Sequence, residues 1–170
     1  YTALSAGLFA TQKAQEAVYS GLKEAQSTLE LRGGVIATAN ATGREGVGKV
    51  QQISFVVANV LGGEPIDFTA PTANGTTGLA ATNSSNVVVI NYQDEDQTVN
   101  DLYWTVSKLG NADADDLLEN NERFQITVGS TTCNLIGALN PDLTAKKTFN
   151  LEILTPVGAV LQIERTLPAY

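Results

Sequence analysis

The 170-residue chain has no histidine, no methionine and a single cysteine, Cys133. Without histidine, neither Ser-His nor Cys-His activation of a nucleophile can be built, and most zinc sites lose their usual ligand. One cysteine permits no internal disulfide. Its neighbours Thr131, Thr132, Asn134 and Leu135 offer no base, so Cys133 reads as a small core residue. Aromatic side chains are only 6% of the chain, which is thin for a sugar-cleaving groove, although any two carboxylates can meet in space. Basic residues are also scarce: ten Lys and Arg against eighteen Asp and Glu give a net charge of −8. That balance repels nucleic-acid phosphates and anionic membrane surfaces, and favours solubility, cation binding or salty surroundings. The lack of any methionine leads us to expect that residues before Tyr1 have been removed. A long apolar run is missing too. The opening YTALSAGLFA is uncharged and mostly apolar but too short to span a bilayer, and reads as the tail of a longer apolar helix.

What is present suffices for one full-sized core, because 43% of the residues are apolar and no charge run dominates. Residues 1–33 read as an N-terminal helix. Leu4, Leu8, Val18, Leu22 and Leu29 recur at helical spacing, and Ala, Gln, Lys, Glu and Leu are good helix formers. Lys13, Glu16, Lys23 and Glu24 keep the opposite face wet, and Gly33-Gly34 supplies a stop.

From Val35 the signal turns to β. Val35–Ala39, Val47–Val60, Ile66–Thr69, Val87–Tyr92, Leu102–Leu109, Phe124–Val128, Thr148–Leu154 and Ala159–Thr166 are rich in Val, Ile, Thr and aromatics. Turn residues separate them, among them Gly62-Gly63, Asn74-Gly75, Gly110-Asn111 and Pro141. Residues 34–170 are therefore expected to form an antiparallel Ig-like β-sandwich of about seven or eight strands. The fold class is mainly β with an N-terminal α-helix. Gly43–Gly48 lacks phosphate-loop spacing and reads as a hairpin tip. Residues 70–86 carry no acidic or basic side chain and read as an exposed loop. Tyr92, Tyr103 and Trp104 are expected in or near the core.

Three N-glycosylation sequons begin at Asn40, Asn74 and Asn83, and two of them fall in that loop. In a chain rich in Asn, Ser and Thr the motif alone is weak. Two acidic clusters stand out: Asp94-Glu95-Asp96, with Asp101 behind it, and Asp113-Ala114-Asp115-Asp116, with Glu119 and Glu122 downstream. Ca²⁺ needs about six to eight oxygens, which dense carboxylates on an irregular loop can supply. Asp113, Asp115 and Asp116 are the candidate ligands. The EF-hand pattern fails, since Leu117 holds the fifth loop position and no glycine follows. A solvated acidic face opening a helical turn over Asp113–Asn121 is the competing reading.

The C-terminal stretch KKTFNLEILTPVGAVLQIERTLPAY carries the most specific pattern. Phe149, Leu151 and Ile153 alternate with Asn150, Glu152 and Leu154, a Thr155-Pro156-Val157-Gly158 turn follows, and a second run leads to Thr166. Period-two spacing on both sides of a Pro/Gly turn predicts a β-hairpin. This wording resembles the end of archaellins, the archaeal flagellins. Gly7–Gln15 (GLFATQKAQ) and Leu117–Phe124 (LLENNERF) resemble two further stretches of that family, while the middle of the chain resembles nothing specific.

The resemblance implies a structural subunit of the archaellum filament, extracellular on the archaeal cell surface. It would self-assemble into a helical polymer for swimming, as a homo-polymer or with other archaellin subunits. It implies no enzymatic activity, no required cofactor beyond a Ca²⁺ that the acidic loop could hold, and no nucleic-acid partner. Glycosylation is common in such filaments. Leu4, Leu8, Phe9, Val18 and Leu22 would line the polymerising helix. That helix would be the C-terminal part of a filament-core helix, truncated relative to the family, which meets the membrane through its apolar start before assembly. An extracellular adhesin or Ca-dependent binding module on the same sandwich is the alternative, and a hydrolase would need a concave carboxylate pair.

Overall fold

The computed structural model describes residues 29–40, 48–59, 64–156, 158 and 160–168. Most of the expected helix, with Leu4, Leu8, Phe9, Val18 and Leu22, lies outside the described residues. So do most of the Gly43–Gly48 tip and the Gly62-Gly63 turn.

Where the expected helix was to end, the chain is already extended: β1 runs from Leu29 to Ala39. Leu29-Glu30-Leu31-Arg32 alternates apolar and charged residues, and Leu29 is buried while Arg32 is exposed. Period two prevails there over the helical spacing that placed Leu29 on a helix face. The Gly33-Gly34 pair is a register shift inside β1, between Arg32 and Ile36, rather than a helix stop. Gly33 has φ of 77° there, which a side chain would resist. The expected boundary between 33 and 34 thus falls within one strand.

Two antiparallel four-stranded sheets make up most of the described structure. The first orders β1, β2 (Val50–Asn59), β8 (Arg123–Val128) and β6 (Trp104–Leu109). The second orders β10 (Val160–Thr166), β9 (Thr148–Leu154), β4 (Val89–Gln93) and β5 (Thr98–Val99). A short pair joins β3 (Ile66–Asp67) to β7 (Leu117–Leu118). Among the described residues the one helix, α1, is Leu135–Ala138, capped by Asn134, whose side-chain oxygen accepts from the Ile136 N–H at 3.0 Å.

Alternation decides which faces meet. Ile53, Phe55 and Val57 of β2, Phe124, Ile126 and Val128 of β8 and Trp104 of β6 point inward from the first sheet. Ile90 and Tyr92 of β4, Phe149, Leu151 and Ile153 of β9 and Ile163 of β10 answer from the second, and all belong to one core. Phe68, after β3, packs edge-on against both Trp104 and Phe124 with ring centres 6.0 Å apart. Tyr92 and Phe149 stack at 6.4 Å. The C-terminal hairpin forms in the expected register, with Ile163 opposite Leu151.

Two local expectations change. The helical turn over Asp113–Asn121 is absent: Asp113 Oδ1 accepts from the Asp115 N–H at 3.0 Å and Asp115 Oδ1 from the Leu117 N–H at 2.9 Å. Aspartate side chains that capture nearby N–H groups disfavour helix, and the chain continues into β7 instead. The 70–86 loop is largely exposed, yet Gly78 and Ala80 are buried and Leu79 packs against the core. It is fastened by bridges from Ala73 to Ala80 and from Leu79 to Leu102.

Candidate functional site

The acidic loop gathers a different trio from the one its spacing suggested. Carboxylate oxygens of Asp113, Glu119 and Glu122 lie within 4.8 Å of one another. Asp115 is turned to the Leu117 N–H, and Asp116 pairs with Lys108 at 3.3 Å. Glu122 is buried, its oxygens accepting from the Asp113 N–H at 3.2 Å and the Glu119 N–H at 2.8 Å. Each carboxylate oxygen retains a lone pair beyond those bonds. Partial desolvation, then the charges of Glu122, Asp115 and Asp113, raise the Glu119 pKa above the ordinary carboxylate value. Like charges held this close are a fit for a hard cation.

The other acidic cluster is committed internally. Asp94 Oδ1 accepts from the N–H groups of Asp96 and Gln97, while Oδ2 accepts from the Tyr92 hydroxyl and the Gln97 amide. Asp96 meets Lys147 at 3.5 Å. Beside them a shallow groove of about 540 Å³ is lined by both acidic and basic groups, including Asp94, Glu95, Lys146, Lys147 and Glu164.

The three sequon asparagines sit in unlike settings. Asn74 and Asn83 are exposed on the 70–86 loop. Asn40 is half-buried, and its side-chain oxygen accepts from the Lys49 N–H at 3.0 Å. Spacing could not distinguish these cases, because the sequon says nothing about what the amide already holds.

Sequence reasoning missed Asn59. It is buried at the end of β2, donating to the carbonyls of Glu64 at 2.6 Å and Leu118 at 3.0 Å. Those bonds tie the first sheet to the β3–β7 pair. It also missed Ile36, an apolar side chain left 63% exposed on the edge strand β1. Cys133 is buried, with its thiol facing the Leu79 carbonyl at 3.7 Å, as a core residue would be. Tyr92 and Trp104 are fully buried.

These features describe a mainly β protein of paired antiparallel sheets, with surface loops tied by their own hydrogen bonds. The family model for archaeal-type flagellin matches residues 1–165. Probable flagellin 2 of Archaeoglobus fulgidus is 34% identical over 99% of this chain and 79% of its own length. Probable flagellin 1 of the same organism is 29% identical over the same shares. Among solved structures, the archaeal flagellum of Methanospirillum hungatei aligns with 27% identity and a TM-score of 0.52, covering all of this chain and 83% of the other. An archaeal flagellin of Methanocaldococcus jannaschii shares the fold at 11% identity and a TM-score of 0.58, covering 84% of this chain and 90% of the other. The chain belongs to the archaeal-type flagellin family. It is an archaellin, a filament subunit of the archaellum, which is an extracellular appendage for motility, and it is a structural protein rather than an enzyme.

Proposed function

We propose that this archaellin polymerises with copies of itself. In this reading the residues before Leu29 supply the apolar helix of the filament core, and the chain from β1 onward forms an Ig-like sandwich outside it. The observation that carries the reading is the reach of the family match, which runs from residue 1 to 165 and takes in the apolar N-terminal stripe together with the β region. Leu4, Leu8, Phe9, Val18 and Leu22 would gain about 25 cal/mol for each Å² they hide from water in a bundle of such helices. Electron microscopy of the purified protein with its native N-terminus, allowed to assemble alone, tests it. Filaments are expected, and they should vanish on Leu8→Asp with Phe9→Asp while the near-ultraviolet circular dichroism of the β domain is retained. Filaments that survive both substitutions, or that require a second subunit type, overturn it.

Two decorations belong to the same reading. Glycans at Asn74 and Asn83 would face solvent, and the intact mass of secreted protein against the Asn74→Gln and Asn83→Gln variants checks each. Asn40 is the poorer acceptor because its side-chain oxygen is engaged. A Ca²⁺ ion would be held by Asp113 with Glu119 and Glu122, in place of Asp115 and Asp116, and would neutralise the trio. Calcium titration calorimetry on the wild type and Glu122→Gln tests this. Equal heats from both proteins would rule the site out.

A further inference from the structure

Sheet register places two unlike patches on the outer faces of the two sheets. On the second sheet, Val89, Leu154 and Val160 form one cross-strand row, with Val87 just beyond it. Val87 and Val160 are among the exposed large apolar residues of the described structure. The next row outward-facing along the strands holds Glu152, and the row after that Glu164. The pairing puts no lysine or arginine among these outward positions.

On the first sheet, the corresponding outer row holds Ile36 beside Ser54, Thr127 and Thr105. Ser54 and Thr127 share a hydrogen bond at 3.0 Å, so that row is otherwise neutral and internally satisfied. The following rows bring Arg32, then Arg123 with Glu30. Arg32 is partly balanced by Glu30 at 3.2 Å, while Arg123 is exposed and has no ion pair among the described residues. In a chain of net charge −8, this face carries more arginine than acid.

Each outer face therefore runs from an uncharged row, apolar on the second sheet and Ile36 among hydroxyl side chains on the first, into charge, with rows about 7 Å apart, and the charges are of opposite sign. Faces on opposite sides of one subunit that complement each other cannot close on a two-fold axis. They repeat head to tail, which gives an open helical polymer wherever the rotation between copies does not close into a ring. We propose that the Val87, Val89, Leu154 and Val160 patch of one subunit docks against the Ile36 face of the next copy of this chain. Glu152 and Glu164 of the first then lie toward Arg32 and Arg123 of the second. The inference rests on the self-polymerising reading above and adds the outer-domain contact to it. The charges select the partner face, and the valine and leucine row closing over Ile36 supplies the burial.

Cysteine cross-linking in assembled filaments tests it, since Cys133 is buried and will not compete. The double variant Ile36→Cys with Val160→Cys should give a ladder of covalent oligomers on oxidation, and each single variant should stay monomeric on a denaturing gel. Ile36→Cys with Val87→Cys is a second pair for the same contact. Reversing Glu152 and Glu164 to arginine should thin or abolish filaments, and reversing Arg32 and Arg123 to glutamate in the same chain should restore them. Normal filaments with no ladder from either pair, or with no response to charge reversal, overturn the contact and leave the self-polymer standing. Dimers from a single cysteine variant would mean a symmetric contact and also overturn it. Failure of the wild-type chain to form filaments alone overturns both readings.

Discussion

The Tyr92 hydroxyl donates a 2.7 Å hydrogen bond to Oδ2 of Asp94, two residues along the same chain. Tyr92 is fully buried, so its polar tip depends on that one acceptor. Asp94 in turn gathers three more donors from Asp96 and Gln97, closing the turn between β4 and β5. Burial pushes the Asp94 pKa up, but the bonds from Tyr92, Asp96 and Gln97 together outweigh it and hold the carboxyl below its ordinary value.

Asp94→Ala should destabilise the domain by about 1–3 kcal/mol, because it strands the tyrosine hydroxyl inside the protein. Tyr92→Phe should cost less, since it removes the donor along with the need for a partner. The sign of the pH dependence follows from the depressed folded value. Asp94 contributes stability above the unfolded aspartate pKa, about 3.9, and that contribution is lost as pH falls through its lower folded value. Acid unfolding followed by circular dichroism should therefore show a smaller loss in Asp94→Ala than in the wild type. At the alkaline end, burial and then Asp94 raise the Tyr92 pKa above its ordinary value. Stability should fall as pH rises past about 10, where unfolded tyrosine ionises, and Tyr92→Phe should blunt that fall.

Glu119 has the opposite sign. Its folded pKa lies above the ordinary value, so the cluster destabilises the fold at neutral pH and is relieved as pH falls toward the unfolded carboxylate range. Glu119→Gln should raise the melting temperature at pH 7 in chelator. Added Ca²⁺ should raise the melting temperature of the wild type more than that of the variant. Thermal melts with and without chelator read both effects.

Gly78 and Gly137 hold the 70–86 loop against α1. A Cβ on Gly78 would collide with the Asn134 carbonyl and with Ala138, and φ there is 77°. A Cβ on Gly137 would collide with the Thr76 carbonyl. Backbone atoms cannot step aside cheaply, so either alanine substitution should cost about 1–3 kcal/mol. Hydrogen exchange should show the loss first at the amides of Ala80 and Ala81, which bond to Asp101 and Thr72.

Trp104 separates volume from polarity. It is fully buried against Phe68, and its indole N–H has no partner among the described residues. Trp104→Ala should cost about 3–5 kcal/mol through the cavity it leaves. Trp104→Phe should cost distinctly less, because it removes an unpaired donor together with part of the ring. Denaturant unfolding of the two variants measures the difference.

How much could be read beforehand varies by element. The hairpin from Thr148 to Thr166 was legible because its alternation and its Pro/Gly turn are local, and β9 matches the expected strand end to end. The two-residue strands β5 and β7 were not, since so short a stretch has no period to detect. Leu29 to Arg32 fitted helical and alternating patterns alike, and only pairing with Val56 to Asn59 resolves the choice. Which carboxylates of the acidic loop converge was only partly legible: Asp113 was among those named, but adjacency in sequence favoured Asp115 and Asp116 over Glu119 and Glu122, which share its space.

The sequence by itself determined the acidic balance, the exclusion of histidine chemistry, the prevailing β character and the archaellin signature. Each is a property of composition or of a short contiguous pattern. The tertiary structure alone decided which carboxylates share space, which asparagine oxygens are engaged, and that Arg123 falls in one row with Glu30 while Glu164 lies on the other outer face. Those facts depend on the register between strands far apart in the chain, β2 with β8 and β4 with β9. A slip of one residue there would turn every side chain to the opposite face, and no local pattern records which register the packed core selects.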